Sequence, residues 1–184
     1  MKQDREKWNS RYTRHDVTIP DPDPFLTENA SLLTKGTALD LAAGLGANAL
    51  FLARSGYGVD AIDISFPALL RLKAEADRLS LDIRPIVADL DTYPVPINRY
   101  DLVAIFYFFS PPIMSSIRNC MKRGGLLVCS TYNYRHTSIK PGFTRKYLVP
   151  RGGLAPYVHG LDIVLNENEA GEAGNLSRLI ARKR

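Results

Sequence analysis

The sequence predicts an α/β protein built on a doubly wound, mostly parallel sheet, and three observations carry that reading. Apolar runs of strand length alternate with amphipathic, helix-length segments from residue 37 to about residue 131. A Gly44-Leu45-Gly46 turn joins the first of these strands to the helix after it, where a parallel unit places its tight loop. The run from Leu102 to Phe109 is apolar throughout, as a strand buried on both faces should be. The chain has 184 residues, 45% hydrophobic and 23% charged, which suits one domain with a sizeable core and argues against global disorder.

Residues 3–14 read as a short helix with Trp8 and Tyr12 on one side, spaced i, i+4. Pro20-Asp21-Pro22-Asp23-Pro24 follows as a stiff extended spacer, and a second short helix is expected near Phe25–Leu33. Thr37–Leu41 is the first strand, Asn48–Arg54 a helix closed by Gly56, and Val59–Ile64 the second strand. Pro67–Arg78 is a helix with proline in its first turn, and Ile83–Ala88 the third strand. Asp101–Phe109 forms the central strand, in which Phe106-Tyr107-Phe108-Phe109 alternates between two buried faces. Ser110 caps a helix running from Pro111-Pro112 to Met121, Gly124-Gly125 ends it, and Leu126–Thr131 is the fifth strand. Tyr132–Tyr147 has no clean period and reads as a long mobile loop. Gly160–Asn166 and Leu176–Arg182 make an edge hairpin around the acidic, glycine-rich segment 168–174.

Several classes are set aside at this stage. No apolar run reaches the roughly 18 residues of a membrane-spanning helix, and the charged N-terminus lacks a signal-peptide core. The expectation is a cytoplasmic protein without a membrane partner. Cys120 and Cys129 offer neither metal spacing nor a disulfide framework, and His15, His136 and His159 are scattered, so no metal site is expected. The net charge of +5 is concentrated at the two ends, which solvated termini explain better than a nucleic-acid surface.

The segment from Asp40 to Ala49 carries the chemistry. Small residues between a strand and a helix let a ligand approach the backbone and the helix N-terminus. Asp63, at the end of the next strand, can accept from both ribose hydroxyls of an adenosine cofactor. As Gly44-x-Gly46-x-x-Ala49 the loop fits a dinucleotide fingerprint. Counted from Asp40 it is Asp-x-Ala-x-Gly-x-Gly, one residue from the S-adenosylmethionine loop. The short tail leaves little room for a dehydrogenase's substrate elements, and an acid four residues before Gly44 suits a cationic amine better than a pyrophosphate.

Further pieces carry a resemblance: residues 7–12, 39–49 and 59–65, then 88–90, 100–103, 122–127 and 180–183. In that order the chain resembles class I S-adenosylmethionine-dependent methyltransferases, in particular the small bacterial group of tellurite-resistance and thiopurine methyltransferases. The resemblance implies a Rossmann-like seven-stranded sheet of order 3-2-1-4-5-7-6, with strand 7 antiparallel and N-terminal lid helices. It divides the chain into a lid (1–34), a cofactor-binding core (35–131) and an acceptor-side loop with hairpin (132–184). S-adenosylmethionine is the implied cofactor and S-adenosylhomocysteine its product, with a small-molecule acceptor and a monomer or weak homodimer.

By the same resemblance Asp40, Ala42, Ala43, Gly44 and Gly46 line the methionine part, with Asn48 and Phe25 nearby and Asp63 on the ribose. Ile64 and Leu90 flank adenine, Asp89 accepts from its amino group, and Phe106 offers a carbonyl to the amine. Trp8, Arg11 and Tyr12 cover the site, Arg11 pairing the carboxylate. Tyr12, Tyr107, Phe109 and Arg145 are the residues expected toward the acceptor. The chain departs from the group at Ala42, where glycine is commoner, at Ala47, where arginine is common, and at Ala173-Gly174, where tellurite enzymes carry His-Arg. The alternatives are an RNA-binding methyltransferase module, suggested by the basic balance and Ser110-Pro111-Pro112, and an NAD-binding protein.

Overall fold

In the computed structural model, which describes residues 2–184, seven strands form one sheet of order β3-β2-β1-β4-β5-β7-β6. The strands are β1 (Gly36–Leu41), β2 (Tyr57–Asp63), β3 (Ile83–Val87), β4 (Tyr100–Phe106), β5 (Met121–Tyr132), β6 (Leu161–Ala170) and β7 (Leu176–Lys183). β7 runs antiparallel to both β5 and β6. This is the doubly wound arrangement the sequence predicts. The chain packs as two compact units, divided between Pro94 and Val95.

In the first unit, β2 lies parallel to β1 and to β3. The last four residues of β1 and the last five of β2 are buried, so the sheet is apolar up to the carboxyl ends where loops begin. Helix α1 (Lys2–Thr13) buries none of its residues; Trp8 and Tyr12 stack across one turn, 5.7 Å between centroids. Beyond it, the Arg71 guanidinium donates to the carbonyls of Arg14 and Val17. The proline-rich spacer ends at Asp23 rather than Pro24. Asp23 accepts the Phe25 N–H at 2.9 Å, and Pro24 opens α2 (Pro24–Glu28), a position where its missing N–H costs nothing. The helix expected to reach Leu33 breaks at Asn29 into a 3-10 turn, Ala30–Leu32.

Helices α3 (Ala47–Arg54) and α4 (Phe66–Arg78) complete the first unit, α4 burying Ala68, Leu69, Leu72 and Ala76 along one stripe. Gly46 caps α3 in the left-handed region at φ +79°, and a Cβ there would stand 2.3 Å from Leu72 Cδ1. Gly46→Ala therefore combines backbone strain with overpacking and should cost about 2 kcal/mol in urea unfolding. An unchanged midpoint would show that Leu72 yields freely.

In the second unit, β4 and β5 pair in parallel. The central strand stops at Phe106 instead of Phe109 because Tyr107 takes φ +55°, which no strand accommodates. The aromatic run therefore does not alternate between two buried faces: Phe106 and Phe109 are buried, while Tyr107 is 50% exposed. Helix α5 spans Pro111–Cys120 with Ser110 at its N-cap position, but the serine side chain makes no capping bond. Gly124-Gly125 belongs to β5, which begins at Met121; a register shift between Tyr100 and Leu102 absorbs the extra residues. Both cysteines are buried and free, their thiols pushed up to about 12 by burial.

The segment expected to be a long mobile loop is folded and tied down. It contains α6 (His136–Ile139) and a 3-10 turn, Arg145–Tyr147. Asn133, 1% exposed, donates its side-chain amide to the carbonyls of Asn168, Gly174 and Leu176 at 2.8, 3.0 and 3.0 Å. Local periodicity could not reveal this, because the partners lie more than thirty residues away. No described helix is long and apolar enough to cross a membrane.

Candidate functional site

Parallel pairing brings the carboxyl ends of β1 and β2 side by side, Asp40 opposite Ala61 and Leu41 opposite Ile62. The chain then leaves β1 through Ala42–Gly46, and the Ala43 N–H donates to the Ile62 carbonyl at 3.0 Å, which pins the loop over the neighbouring strand. Ala42 sits at φ +58°, a conformation that glycine adopts without penalty and an L side chain does not. The departure noted at this position is thus a strained residue. Ala42→Gly should raise stability by up to about 1 kcal/mol in a thermal melt, the relieved strain outweighing glycine's extra unfolded-state entropy. A lower melting temperature would show that entropy wins.

Asp63 organises the loop from below. One carboxylate oxygen accepts the Gly44 N–H and the other the Ser65 N–H, both at 2.8 Å. Two carboxylate oxygens offer four lone-pair positions, so acceptor capacity remains for a ligand. Burial raises the Asp63 pKa, and the N–H groups of Ser65, Gly44 and Ile64 oppose that rise.

Asp40 is 2% exposed. Burial first, and the Asp63 charge second, push its pKa up to about 8, against the Ala49 N–H that favours the ionised form. Its Oδ2 is buried without a hydrogen-bond partner. An unpaired acceptor in a dry site costs free energy, and a cationic ligand group would relieve it.

Tyr12 covers the loop: its hydroxyl oxygen lies 2.9 Å from where a Gly44 Cβ would stand. Burial raises the phenol's pKa, and the Asp63 charge raises it further. Arg11 lies 5.6 Å over the Trp8 ring and is exposed. Asp40, Ala42, Ala43, Gly44, Gly46, Asp63, Trp8, Arg11 and Tyr12 all lie in this unit, gathered around the loop and the helix that covers it.

The remaining expected cofactor residues of this unit are more committed to the fold. Asn48 accepts the Asp23 N–H at 2.8 Å and so fastens the spacer to α3. Phe25 is 2% exposed, and Leu90 8%. Ile64 is half-buried. Asp89 closes a strand-end turn, its side chain taking the Asp91 N–H and its carbonyl those of Thr92 and Tyr93.

In the second unit, Phe106 ends β4, buried. Tyr107 donates its N–H to the Ser130 carbonyl and is half exposed, its ring 5.2 Å from that of Tyr132. Phe109 packs edge-on against Tyr157 at 5.0 Å. Arg145 is exposed on the 3-10 turn. His136, which the sequence presents only as a scattered histidine, stacks on Tyr132 at 3.8 Å and bonds Asn175. Only the spacing from Tyr132 hinted at it, since Asn175 comes from the distant hairpin.

Residues 38–125 match a family model described as a methyltransferase domain. Three solved structures are similar. TehB from Haemophilus influenzae superposes with a TM-score of 0.75 at 17% identity, over 98% of this chain and 67% of that one. The structure described as "Conversion of a Disulfide Bond into a Thioacetal Group during Echinomycin Biosynthesis" gives 0.74 at 18%, over 97% and 91%. A phosphoethanolamine N-methyltransferase from Haemonchus contortus, in complex with S-adenosylhomocysteine, gives 0.71 at 16%, over 86% and 51%. At such identities the likeness is one of fold. No curated protein matches the chain in sequence.

Proposed function

We propose that this chain, whose residues 38–125 match the methyltransferase-domain family model, transfers a methyl group from S-adenosylmethionine to a small acceptor, with a thiol or a metalloid oxyanion as the acceptor classes in view. The observation that carries the reading is the buried, unpartnered Asp40 Oδ2 beside a glycine loop whose backbone Asp63 holds. The residues fit the cofactor: an ammonium would satisfy Asp40, and Asp63 retains acceptor capacity for a ribose hydroxyl. When bound, S-adenosylmethionine supplies a methyl carbon activated by positive sulfur.

The chain's own residues then bind, orient and exclude water. Asp40 would release its proton to solvent as the ammonium binds and balance its charge as the carboxylate. Asp63 keeps Gly44 in register while accepting from the ribose. Arg11 pairs with the carboxylate, and Ile64 with Leu90 flanks the adenine, whose amino group donates to Asp89. Trp8 and Tyr12 close over the loop and keep water from the sulfonium. An acceptor that arrives as an anion needs no general base.

Tyr12 stands against Gly44, which in this reading makes α1 the cover of the bound cofactor. No residue of α1 is fully buried, and Tyr12 is only partly so. Deleting residues 1–20 should leave a folded chain that binds S-adenosylmethionine at least roughly ten-fold more weakly, the loss of about 1.4 kcal/mol. Calorimetry with S-adenosylmethionine, S-adenosylhomocysteine and NAD checks both points. Full affinity after truncation would reduce α1 to packing, and binding of NAD alone would overturn the methyltransferase reading.

A further inference from the structure

The roles assigned above leave a group of aromatic side chains in the second unit without a task. Tyr107 follows the carboxyl end of β4, and Tyr132 ends β5, its parallel neighbour. Open α/β sheets bind ligands beyond the carboxyl ends of their strands. Tyr107 holds φ +55° without being glycine and leaves half its surface exposed. A bulky residue kept in that region is uncommon, and such residues cluster at ligand sites.

Tyr132 stacks on His136 with rings 20° from parallel, and Phe143 stands edge-on to both, 5.6 and 4.8 Å away. His136 is 7% exposed. Asn175, at the foot of the hairpin, places its side-chain nitrogen 3.0 Å from His136 Nδ1. An amide nitrogen only donates, so Nδ1 accepts and the ring proton sits on Nε2. Burial, then the Lys140 ammonium, lowers the His136 pKa and keeps the ring neutral. Lys140 itself lies over Phe143, 5.9 Å from its centroid. Among the described residues none hydrogen-bonds Nε2, the one bond of the ring being that of Nδ1 to Asn175. The cluster is therefore an aromatic wall carrying one oriented N–H donor, with an ammonium beside it.

We propose that His136, Tyr132 and Tyr107 form a subsite for a planar oxyanion, an aromatic carboxylate or phenolate, whose charged oxygen accepts from His136 Nε2–H while its ring lies against the tyrosines. The donor gives the site its preference for an acceptor atom, the tyrosine faces its preference for a flat ligand, and Lys140 its preference for negative charge. The subsite goes beyond the methyltransferase reading and does not depend on it: binding needs no methyl transfer. A ligand arriving deprotonated suits a histidine that donates rather than accepts.

The test uses the full chain with 4-nitrophenolate in mildly alkaline buffer, and 4-nitroanisole as its uncharged match. The phenolate should shift its absorption on binding and move the His136 ring resonances, and the anisole should bind at least roughly ten-fold more weakly. His136→Phe keeps a flat ring in the stack but has no donor, and should lose roughly ten-fold or more in phenolate affinity. His136→Gln, which offers an amide donor, should recover part of that loss. Equal binding of the two probes, full affinity in His136→Phe, or unmoved His136 resonances would each overturn the proposal. If His136→Phe does not fold, the resonances of the unmodified chain decide alone. S-adenosylmethionine affinity, measured alongside, separates the two readings: phenolate binding without it counts against the methyltransferase and not against the subsite, and the reverse counts against the subsite.

Discussion

Asp63→Ala should both destabilise the chain and strip it of cofactor affinity. The substitution leaves the N–H groups of Gly44 and Ser65 without their acceptor in a buried place. Each orphaned donor costs about 1–3 kcal/mol, so the combined loss should be about 2–6 kcal/mol in urea unfolding. Losing the Asp63 charge also removes one cause of the raised Asp40 pKa, which offsets a small part of that cost. Binding of S-adenosylmethionine should fall by a further 1–3 kcal/mol or so, because the ribose loses its acceptor and the loop its register. Asp63→Asn keeps one carbonyl acceptor and should fall between the two. Calorimetry and urea melts on the three proteins form the test. If Asp63→Ala binds normally, the carboxylate is a strand-end anchor and the ribose is held elsewhere.

Asp40 gives the second large effect, and it depends on pH. In the unfolded chain this carboxyl titrates near the ordinary value of 3.8; in the folded chain it titrates at about 8. Between those values the folded protein holds a proton that the unfolded protein has released. Stability therefore falls as pH rises across that window, by about 1.4 kcal/mol per unit at most, and the loss is complete above the folded value. Asp40→Asn has no proton to lose, so its stability relative to the unmodified chain should climb from pH 5 to 9, by on the order of 4 kcal/mol. The same variant cannot balance an ammonium and should bind S-adenosylmethionine at least roughly ten-fold more weakly in mildly alkaline buffer. Urea melts that run parallel at pH 5, 7 and 9 would show that Asp40 is ionised at all three.

The parts of the fold legible in the sequence are those written in short-range patterns. β1, β2 and α4 declare themselves by apolar periodicity, and Gly46 marks the loop because that backbone conformation and the Leu72 contact leave no room for a side chain. The pairing of Asp63 with the glycine loop was likewise foreseeable, since parallel strands place successive carboxyl ends side by side. What escaped was set by single residues or by distant ones. Nothing local says that Tyr107 turns to positive φ, so the apolar run predicts a strand three residues longer than the one that forms. Ser110 stands at a helix start yet makes no side-chain cap, because position alone does not fix a rotamer. His136 acquires its tautomer from Asn175, thirty-nine residues on, and no spacing rule reaches that far.

Asn133 joins parts of the chain that would otherwise fray independently. Its amide has two hydrogens for three carbonyls, so one is shared, and together they hold both sides of the hairpin tip. Its own carbonyl side-chain oxygen takes the Arg135 N–H, and its backbone N–H goes to Asn175. Opening the tip thus exposes the stretch ahead of α6, and freeing that stretch releases the tip. Native-state hydrogen exchange should find residues 133–136 and 168–176 leaving together, with one shared opening free energy, as a single cooperative unit. Asn133→Ala would split that unit into two that exchange at their own rates.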